Sequence, residues 1–478
     1  MTVSSEYEVL HAEAKEIFFG ALKACDIASS LDRRIRFDGD VLRRLKADGF
    51  GSSSINLKSF REVFVVALGK AAGPMLDALL SRMKRRAGLH GIYCSNQLPK
   101  TKDRRFEFFK GGHPVPNEDS FAAARATLTL LNSAQKDTLI FFLISGGGSA
   151  MFELPLNPTI TLEETIAFHQ VLLGSGAPII EMNILRKHFS AVKGGRLAMA
   201  APEATKVNLL LPDVPQPSLD ALASGPTTPN RSTLAEARVL IDRYALAAKL
   251  PESVRKFFEQ YPIDELRANE DLPSCSPSIK RKGLASESGS TLNLAEDDEA
   301  FRNSWFEILL SSQDLVENAR AMADRAGYYV VIDNGCDDWD YAIAANYLLD
   351  QFHALRKRHP RVCLISVGEV TVTLSENPGV GGRNQQFVLH CALELDRYPG
   401  ERLSVLSAGS DGIDGNTQAA GAIADVTTIA RAHALGYDAQ RALAKFDACP
   451  FFTALGDLVV TQATGQNLRD LRLLIAES

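Results

Sequence analysis

The sequence has few cysteines, and their arrangement argues against two kinds of stabilised protein. Seven cysteines are scattered along 478 residues, and no two of them form a C-x-x-C pair. A disulfide framework or a zinc site therefore has little support. No two histidines have the H-x-x-x-H spacing of a zinc hydrolase either. Reduced thiols are typical of a cytoplasmic protein, so we expect that location.

Long apolar runs and an excess of positive charge are also missing. The uncharged stretch 138–152 covers fifteen residues and is interrupted by three glycines, which makes it too short to span a bilayer. The N-terminus lacks the basic and apolar regions of a secretion signal. The net charge of −6 argues against a phosphate-backbone footprint. We therefore expect no membrane and no nucleic-acid partner.

What the sequence does contain is a globular composition with short apolar segments between helical patterns. Hydrophobic residues make up 45% and charged residues 23% of the chain, close to soluble averages. The apolar segments are Val63–Leu68, Leu139–Ile144, Lys206–Leu211, Tyr328–Ile332, Val362–Val367, Leu403–Ser407 and Leu458–Thr461. Continuous apolar strands that alternate with helices predict an α/β fold whose sheets are parallel and covered on both faces.

One segment lacks any periodic apolar pattern. Residues 264–303 are rich in serine, charge and turn residues, which predicts a flexible linker or surface insertion. The sequence therefore predicts an N-terminal domain over residues 1–263 and a C-terminal domain over residues 304–478.

The first strand of chemical interest leads into a turn that carries a lysine. The segment 63–68 is followed by Gly69-Lys70-Ala71-Ala72-Gly73, which fits neither the dinucleotide fingerprint nor the P-loop. An ammonium group at a strand-to-helix turn is suited to binding an anion. A solvated lysine in an ordinary turn explains this segment equally simply.

A second strand leads into a run of glycines. The segment 139–144 is followed by Ser145, Gly146, Gly147, Gly148 and Ser149. Glycines let backbone N–H groups approach a ligand closely, and a helix start adds partial positive charge. The pattern favours a phosphate-binding loop over a plain tight turn.

Carboxylates also follow predicted strands. Asp213 comes just after the strand 206–211, where it could hold Mg²⁺ or cap a turn. In the C-terminal half, Glu369 follows the strand 362–367, and Asp411 and Asp414 follow the strand 403–407. The two aspartates, three residues apart and bracketed by glycines, are typical of a cation or hydroxyl site, although the EF-hand order is absent.

A glycine-rich loop before an apolar helix carries the remaining candidates. Residues 379–385 read GVGGRNQ and deliver Arg383 and Asn384 to the start of that helix. A guanidinium group can bind a carboxylate or phosphate in a bidentate manner, and a helix N-terminus also favours an anion. This loop therefore predicts an anion site in the C-terminal half.

Taken in order, eight segments give the chain a family resemblance. They are VVALGKAAGPM (65–75), GGHPVPNEDS (111–120), LISGGGSAMFELP (143–155), NILRKHFSAVKGGRLA (183–198), LASGPTTPN (222–230), GEVTVTL (368–374), GVGGRNQQFVL (379–389) and SAGSDGIDGNTQAAGA (407–422). In these segments the chain resembles the class II glycerate kinases, or glycerate 2-kinases, which carry a C-terminal MOFRL domain. The resemblance covers most of the chain outside residues 264–303. Two segments depart from the family pattern, at Pro212 and at residues 461–467.

The resemblance implies both an activity and a fold. The activity is transfer of a phosphoryl group from ATP to the 2-hydroxyl of D-glycerate with Mg²⁺, and the fold is a Rossmann-like α/β domain followed by a distinct α/β domain, with the active site in the cleft between them. It places the family's functional lysine on Lys70 and its arginine on Arg383.

The residue chemistry extends these roles to a mechanism of charge neutralisation. Lys70 and Arg383 are assigned to phosphate and glycerate anions, with Asp213 as a third catalytic candidate. The loop 145–149 and Asn384 are assigned to the nucleotide. Glu369, Asp411 and Asp414 are the candidate metal ligands, and the choice of a base among the carboxylates stays open.

Two alternatives compete with this interpretation. The first is a hydroxypyruvate reductase that uses NAD(P)H, which the Rossmann-like pattern suggests, although the G-x-G-x-x-G fingerprint is missing. The second is a binder of anionic metabolites without catalytic activity, which would use the same glycine loops without needing carboxylates at the strand ends.

Overall fold

The structure is a computed structural model that describes residues 3–45, 53–83, 86–213, 216–260, 299–374, 377–462 and 464–477. Most of the predicted linker, residues 264–298, lies outside these residues. The last part of it, 299–303, contains a short helix whose Ala300 and Phe301 are buried against Ala198 and Met199. That end of the predicted linker therefore packs as part of a folded unit.

The secondary structure alternates between helices and strands along the chain. The helices are α1 (Val3–Ala24), α2 (Ile27–Arg34), α3 (Ala72–Met83), α4 (Glu118–Asn132), α5 (Gly148–Met151), α6 (Leu162–Leu173), α7 (Ile179–Phe189), α8 (Arg196–Met199), α9 (Leu234–Arg243), α10 (Glu252–Gln260), α11 (Glu299–Arg302), α12 (Ser312–Arg325), α13 (Tyr341–Arg356), α14 (Arg383–Leu395), α15 (Thr428–Ala434), α16 (Ala439–Ala444) and α17 (Ala448–Leu455). Short 3-10 helices cover Leu57–Ser59 and Gln216–Ser224. The strands are β1 (Ile35–Asp38), β2 (Val41–Arg44), β3 (Ser54–Asn56), β4 (Glu62–Leu68), β5 (Leu89–Ser95), β6 (Phe106–Lys110), β7 (Thr138–Ser145), β8 (Thr205–Leu211), β9 (Ser304–Ile308), β10 (Tyr329–Ile332), β11 (Val362–Gly368), β12 (Leu403–Gly409), β13 (Gly421–Asp425), β14 (Leu458–Val459) and β15 (Asp470–Ala476).

The chain divides into two compact units whose boundaries differ from the predicted domains. The first unit comprises Ile27–Leu309, and the second comprises Met1–Asp26 together with Leu310–Ser478. Helix α1 therefore groups with the C-terminal part, where it packs against α12 and β12. Strand β9 groups with the N-terminal part because it pairs with β8. Local composition gives no sign of either exchange, since both depend on partners far away in sequence.

The first unit is built on a fully parallel six-stranded sheet in the order β6-β5-β4-β7-β8-β9. Counted within this sheet, the order is 3-2-1-4-5-6, which is that of doubly wound nucleotide-binding sheets. Every residue of β7 is buried, as expected for a strand covered on both faces. A small antiparallel sheet, β1-β2-β3, lies in the same unit.

Capping boxes begin several helices of the first unit. The side chains of Asn117, Thr161 and Thr233 accept hydrogen bonds from backbone N–H groups at the starts of α4, α6 and α9. Each satisfies a donor that the helix itself leaves unpaired. These local signals fix where the helices between the strands begin.

The second unit contains a mixed sheet, so the prediction of parallel sheets is wrong for this half of the chain. Its order is β10-β11-β15-β12-β13-β14, and only β10 and β11 run parallel. The last strand, β15, lies between β11 and β12 and is antiparallel to both. Strands β12 and β13 are joined by a short loop, too short for the crossover that a parallel pair needs.

The core of the second unit lies where α13 and α14 cover this sheet. Phe352, Phe387, Leu389 and Leu474 are among its fully buried side chains. Across the residues that the structure describes, no helix is both long enough and apolar enough to pass through a membrane.

Candidate functional site

The first candidate site lies where the strand order of the parallel sheet reverses, between β4 and β7. In open α/β sheets, ligands bind beyond the carboxyl ends of the strands at this position. Two predicted loops follow these strands, Gly69–Gly73 after β4 and Ser145–Ser149 after β7. The hydroxyl of Ser145 donates to the carbonyl of Leu68 at 3.1 Å and accepts from the N–H of Ala71 at 2.9 Å. The structure thus joins two loops that are far apart in the sequence.

Close backbone approach explains two of the glycines in these loops. Gly69 has a φ of +101°, and a Cβ there would lie 2.4 Å from the carbonyl oxygen of Ser145. A Cβ on Gly146 would lie 1.8 Å from Oδ2 of Asp213. Any side chain at either position would collide with its neighbour. The carboxylate of Asp213 therefore packs directly against the glycine loop.

Lys70 lies along the same loop. Its Cγ and Cε would be 3.2 and 3.4 Å from a Cβ on Gly147, and its backbone N–H donates to the carbonyl of Gly146 at 2.9 Å. The pKa of His113 is lowered, first by partial desolvation of its ring and then by the positive charge of Lys70. The ammonium, the glycine loop, His113 and Asp213 are thus neighbours in the first unit.

A buried ionic cluster includes Glu153, which lies four residues after the glycine loop in the sequence. The ammonium of Lys193 donates to Oε2 of Glu153 at 2.8 Å and to the carbonyl of Phe152 at 2.9 Å. Nε2 of His169 lies 3.0 Å from the same Oε2. All three charged or titratable side chains are essentially inaccessible to water. The cluster therefore anchors the segment into which the glycine loop leads.

The charge states of this cluster follow from burial and pairing. Burial alone would raise the pKa of Glu153, but Lys193 and His169 outweigh it and bring the pKa to about 2. Burial lowers the pKa of His169 to about 4 despite the neighbouring carboxylate. At neutral pH Glu153 is therefore a carboxylate and His169 a neutral imidazole, while burial lowers the pKa of Lys193 and the charge of Glu153 opposes that shift.

The second candidate site lies in the other unit and centres on Arg383, the first residue of α14. Its Nε and Nη2 donate to the carboxylate of Asp470 at 2.6 and 3.1 Å, and its Nη1 lies 2.9 Å from Oε2 of Glu369. Burial alone would lower the pKa of Arg383, but these carboxylates hold it above the usual value. Three of the five N–H donors of the guanidinium are thus used, and two remain for a ligand. The side chain is 36% exposed, so a ligand can reach it.

The turn that carries Glu369 is fixed by a second ion pair. Asp337 accepts from the backbone N–H of Glu369 at 2.9 Å, and a Cβ on Gly368 would lie 2.7 Å from its Oδ1. The guanidinium of Arg469 binds Asp337 through both Nη atoms, with an Nη2–Oδ1 distance of 2.7 Å. Glu369 is therefore held beside Arg383 by its backbone.

Asp411 and Asp414 occupy different positions, although they follow the same strand. Asp411 is partly exposed, and its Oδ1, like that of Asp470, lies close to Gly409. Asp414 is buried and accepts hydrogen bonds from the backbone and side-chain N–H groups of Asn384 and Gln385. Burial raises its pKa to about 6 even though these donors oppose the shift.

Asn384 and Asp414 thus bind each other, and Asp414 pairs backbone N–H groups at the start of α14. The side-chain oxygen Oδ1 of Asn384 also accepts from the hydroxyl of Ser407 at 2.6 Å, and the residue is buried. This geometry gives both side chains a structural role. Their predicted contacts with a nucleotide and a metal ion stay predictions.

The donors present fit Mg²⁺ only in the manner of a phosphate-bound ion. Within the described parts of the chain, no group of three or more His, Cys, Asp or Glu side chains could hold a metal ion. Magnesium usually takes one or two protein carboxylates and completes its shell with water and phosphate oxygens. Asp213 beside the glycine loop fits that requirement, and so do Glu369 and Asp411 in the second unit.

The structure brings together the predicted residues of each unit and adds residues that the sequence analysis missed. Lys70, the loop 145–149 and Asp213 lie together, as do Arg383, Glu369 and Asp411. The predicted placement of one active site between two domains stays a prediction. Asp470 was missed because only the carboxyl ends of strands were searched, whereas it begins an antiparallel strand. Glu153 and Lys193 were also missed, although they lie in the family segments 143–155 and 183–198. The available signal was a charged residue among apolar neighbours in the sequence.

Comparison with known proteins places both halves of the chain. Residues 13–259 match the family described as a domain of unknown function, DUF4147, and residues 362–470 match the MOFRL family. The glycerate 2-kinase of Pyrococcus horikoshii is 32% identical over 417 residues, which cover 87% of this chain and 88% of that protein. The D-glycerate 2-kinase of Thermotoga maritima is 32% identical over 86% of this chain and 89% of that protein.

The solved structures agree with the sequence comparison. A crystal structure of a glycerate kinase from Thermotoga maritima superimposes with a TM-score of 0.75 at 28% identity, covering 98% of this chain and all of that one. The order of domains and the α/β architecture are therefore shared along the chain. This protein belongs to the glycerate 2-kinase family that combines a DUF4147 domain with a MOFRL domain.

Proposed function

We propose that this protein is a kinase that transfers the γ-phosphoryl group of ATP to the 2-hydroxyl of D-glycerate, giving 2-phosphoglycerate and ADP. The observation that carries the proposal is that Lys70, the glycine loop and Asp213 lie together at the switch point of the parallel sheet. This group supplies a cation, closely approachable backbone and a carboxylate, which are the components that phosphoryl transfer needs. Membership of the glycerate 2-kinase family supports the choice of substrate.

Lys70 and the glycine loop act on the phosphates in this proposal. Charge on the equatorial oxygens of the transferred group is stabilised by the ammonium and by backbone N–H groups of residues 146–149. Asp213 would hold Mg²⁺ here, and bound Mg²⁺ would supply further neutralisation of phosphate charge. The packing of Asp213 against Gly146, in the loop assigned to the phosphates, supports this role.

Arg383 binds the carboxylate of glycerate in the same proposal. Asp470 fixes one edge of the guanidinium, which leaves the two remaining N–H donors oriented before the ligand arrives. Glu369 and Asp411 are partly exposed carboxylates nearby. One of them, or Asp213, accepts the proton of the 2-hydroxyl.

The proposal also places the enzyme in the cytoplasm, where ATP is available and thiols stay reduced. The reductase alternative finds less support, because the turn after β4 presents Lys70 and lacks the glycine spacing of dinucleotide-binding proteins.

The test is an assay of the purified full-length protein with D-glycerate, ATP and Mg²⁺. We expect formation of ADP, and phosphorus NMR should show the phosphate on the 2-hydroxyl. A parallel reaction with hydroxypyruvate and NAD(P)H should show no oxidation of the cofactor. Phosphate on the 3-hydroxyl, or turnover only in the parallel reaction, would overturn the proposal.

A further inference from the structure

The hydroxyl of Ser149, at the end of the glycine loop, is connected to a buried arginine by a chain of hydrogen bonds. Ser149 Oγ lies 2.9 Å from Ser224 Oγ, and Ser224 Oγ lies 2.9 Å from Oδ1 of Asn183. Nη1 of Arg186 lies 3.3 Å from the same Oδ1. Asn183, Ser224 and Arg186 are buried, whereas Ser149 is partly exposed. The chain therefore leads from the interior to the surface of the glycine loop.

The direction of every hydrogen bond in this chain is determined by its inner end. The side-chain nitrogen of Asn183 donates to the carbonyl of Ala221 at 3.2 Å, and that oxygen can only accept. Arg186, on the other side of the amide, can only donate. Both neighbours thus fix Oδ1 of Asn183 as the acceptor that faces Ser224.

It follows that Ser224 donates its single hydroxyl proton to Asn183. The short contact between the two serines then requires Ser149 to donate to Ser224, because the proton of Ser224 is already used. The proton of Ser149 is in turn committed to the protein. What Ser149 offers to a ligand is therefore a hydrogen-bond acceptor only.

The backbone around Ser224 is built to hold this arrangement. Ala223, Ser224 and Gly225 have φ angles of 50°, 60° and 63°, which side-chain-bearing residues rarely adopt. The backbone N–H groups of Gly194 and Gly195 donate to the carbonyls of Ser224 and Gly225 at 3.1 and 2.7 Å. Gly148 is in turn required, since a Cβ there would lie 2.8 Å from that of Ala223.

An acceptor-only hydroxyl cannot donate to a phosphate oxygen, so its partner must carry a proton. A neutral serine oxygen is also too weak a base to remove that proton, unlike the nearby carboxylate of Asp213. We infer that Ser149 accepts a hydrogen bond from a ligand hydroxyl that keeps its proton during the reaction. This inference rests on the proposed function. Two such sources exist, the 3-hydroxyl of glycerate and the ribose hydroxyls of ATP.

The experiment compares ligands with and without each hydroxyl. Dissociation constants are measured by calorimetry for D-glycerate against D-lactate, which lacks the 3-hydroxyl, and for ATP against its 2′-deoxy and 3′-deoxy forms. In the wild-type protein, loss of the contacted hydroxyl should weaken binding by about fivefold. In Ser149→Ala the same loss should have almost no effect, and the affected pair of ligands identifies the source.

Two further variants test the chain behind Ser149. The measured ratio is that of the dissociation constants for the ligand without and with the contacted hydroxyl. Ser224→Ala should diminish this ratio, because Ser149 is then free to rotate and donate elsewhere. In Asn183→Asp one carboxylate oxygen still accepts from Ser224 and Arg186, so the effect of Ser149 on ligand binding should be retained. The second oxygen loses the donated bond to the carbonyl of Ala221, so the variant should be less stable than the wild type. The matched control is Ser30→Ala, which removes a buried hydroxyl that accepts from Arg33 in α2 and should leave every ratio unchanged.

The inference is overturned if every one of these hydroxyls costs Ser149→Ala as much binding as it costs the wild type. It is also overturned if no hydroxyl matters in the wild-type protein. Because binding is measured, the result does not depend on turnover. A wild type that binds D-glycerate but transfers no phosphate contradicts the proposed function while leaving this test intact.

Discussion

The two units solve the problem of presenting a cation to an anion in different ways. In the first unit, Lys70 lies against glycine backbone, and a buried cluster of Glu153, Lys193 and His169 holds the segment that follows the loop. In the second unit, Arg383 is paired directly with Asp470 and Glu369. In our proposal the first arrangement binds phosphates close to the backbone. The second leaves a guanidinium whose orientation is fixed and whose free donors are few.

This difference has a physical cause in the two sheets. All strands of the first sheet end at the same edge, so its loops meet there and their backbone forms the site. In the second sheet the antiparallel strand β15 lies between β11 and β12. Its first residue, Asp470, therefore lies beside the last residues of those two strands. In this protein, the relative direction of the strands decides whether backbone or side chains line each candidate site.

The largest effect should come from breaking the buried cluster of Glu153, Lys193 and His169. In Lys193→Met, Glu153 loses its cationic partner in the interior, and the free energy of unfolding should fall by about 3–5 kcal/mol. Trp305 lies in the first unit and Trp339 in the second, so urea unfolding followed by fluorescence in a Trp339→Phe background reports on the first unit. The double variant Glu153→Leu with Lys193→Met is the control. Its free energy of unfolding should fall by less, because no unpaired charge remains. A single variant as stable as the wild type would contradict the assignment.

The next effect concerns Lys70, the partly exposed cation of the first unit. Lys70→Ala should lower kcat/KM by about 10²-fold or more, since one donor to the transition state is lost. The thermal midpoint should stay close to that of the wild type, because the side chain is only partly buried. Lys136→Ala removes an exposed lysine, 81% accessible, from the same unit and serves as the control. Normal turnover by folded Lys70→Ala would remove this residue from the mechanism.

A pH measurement sharpens the comparison, because the buried cluster contains a histidine that cannot take up a proton easily. The pKa of His169 is about 4 in the folded protein and near 6.5 when unfolded, so the unfolded state binds more protons below pH 6.5. Stability should therefore be fully present above pH 6.5 and decline as the pH falls towards 4.

The size of this decline can be isolated by substitution. Between pH 8 and pH 5 the wild type should lose on the order of 2 kcal/mol more than His169→Gln. Urea unfolding of the Trp305 reporter at both pH values measures it. His188, whose pKa is likewise lowered by burial to about 4, remains in both proteins and so does not affect the difference. Equal slopes for the two proteins would show that His169 does not titrate in this way.

The smallest of these effects is expected in the second unit. Arg383→Lys retains the charge but loses the planar fork, so Asp470 and a substrate carboxylate cannot both be bound in the same geometry. We expect kcat/KM for D-glycerate to fall by about tenfold or more, the range of a hydrogen bond to a charged group. Arg255→Lys, an exposed arginine paired with Glu259, is the matched control. Wild-type kinetics for Arg383→Lys would mean that the fork is not used.

How much of this could be predicted depends on whether a feature is local. The positions of the loops 69–73 and 145–149, Asp213 and Arg383 next to strand or helix ends were predictable, because glycine and polar residues mark such ends in the sequence, whereas their roles stay predictions. The domain boundaries were not predictable, because α1 packs against α12 and β9 pairs with β8, and both partners lie far away in the sequence. The mixed second sheet was missed for the same reason.

The sequence by itself determined the α/β class of the fold and the residue types at the ends of the central strands, since both follow from periodicity and local backbone preference. Only the tertiary structure decided which of these residues lie together and what each side chain still has to offer. Asp414 binds the backbone at the start of α14, and Asp470 fixes the orientation of Arg383. Asn183, through Ser224, decides where the hydroxyl proton of Ser149 points. The physical reason is that a hydrogen-bonding capacity is used up by neighbours in space, and those neighbours come from distant parts of the chain.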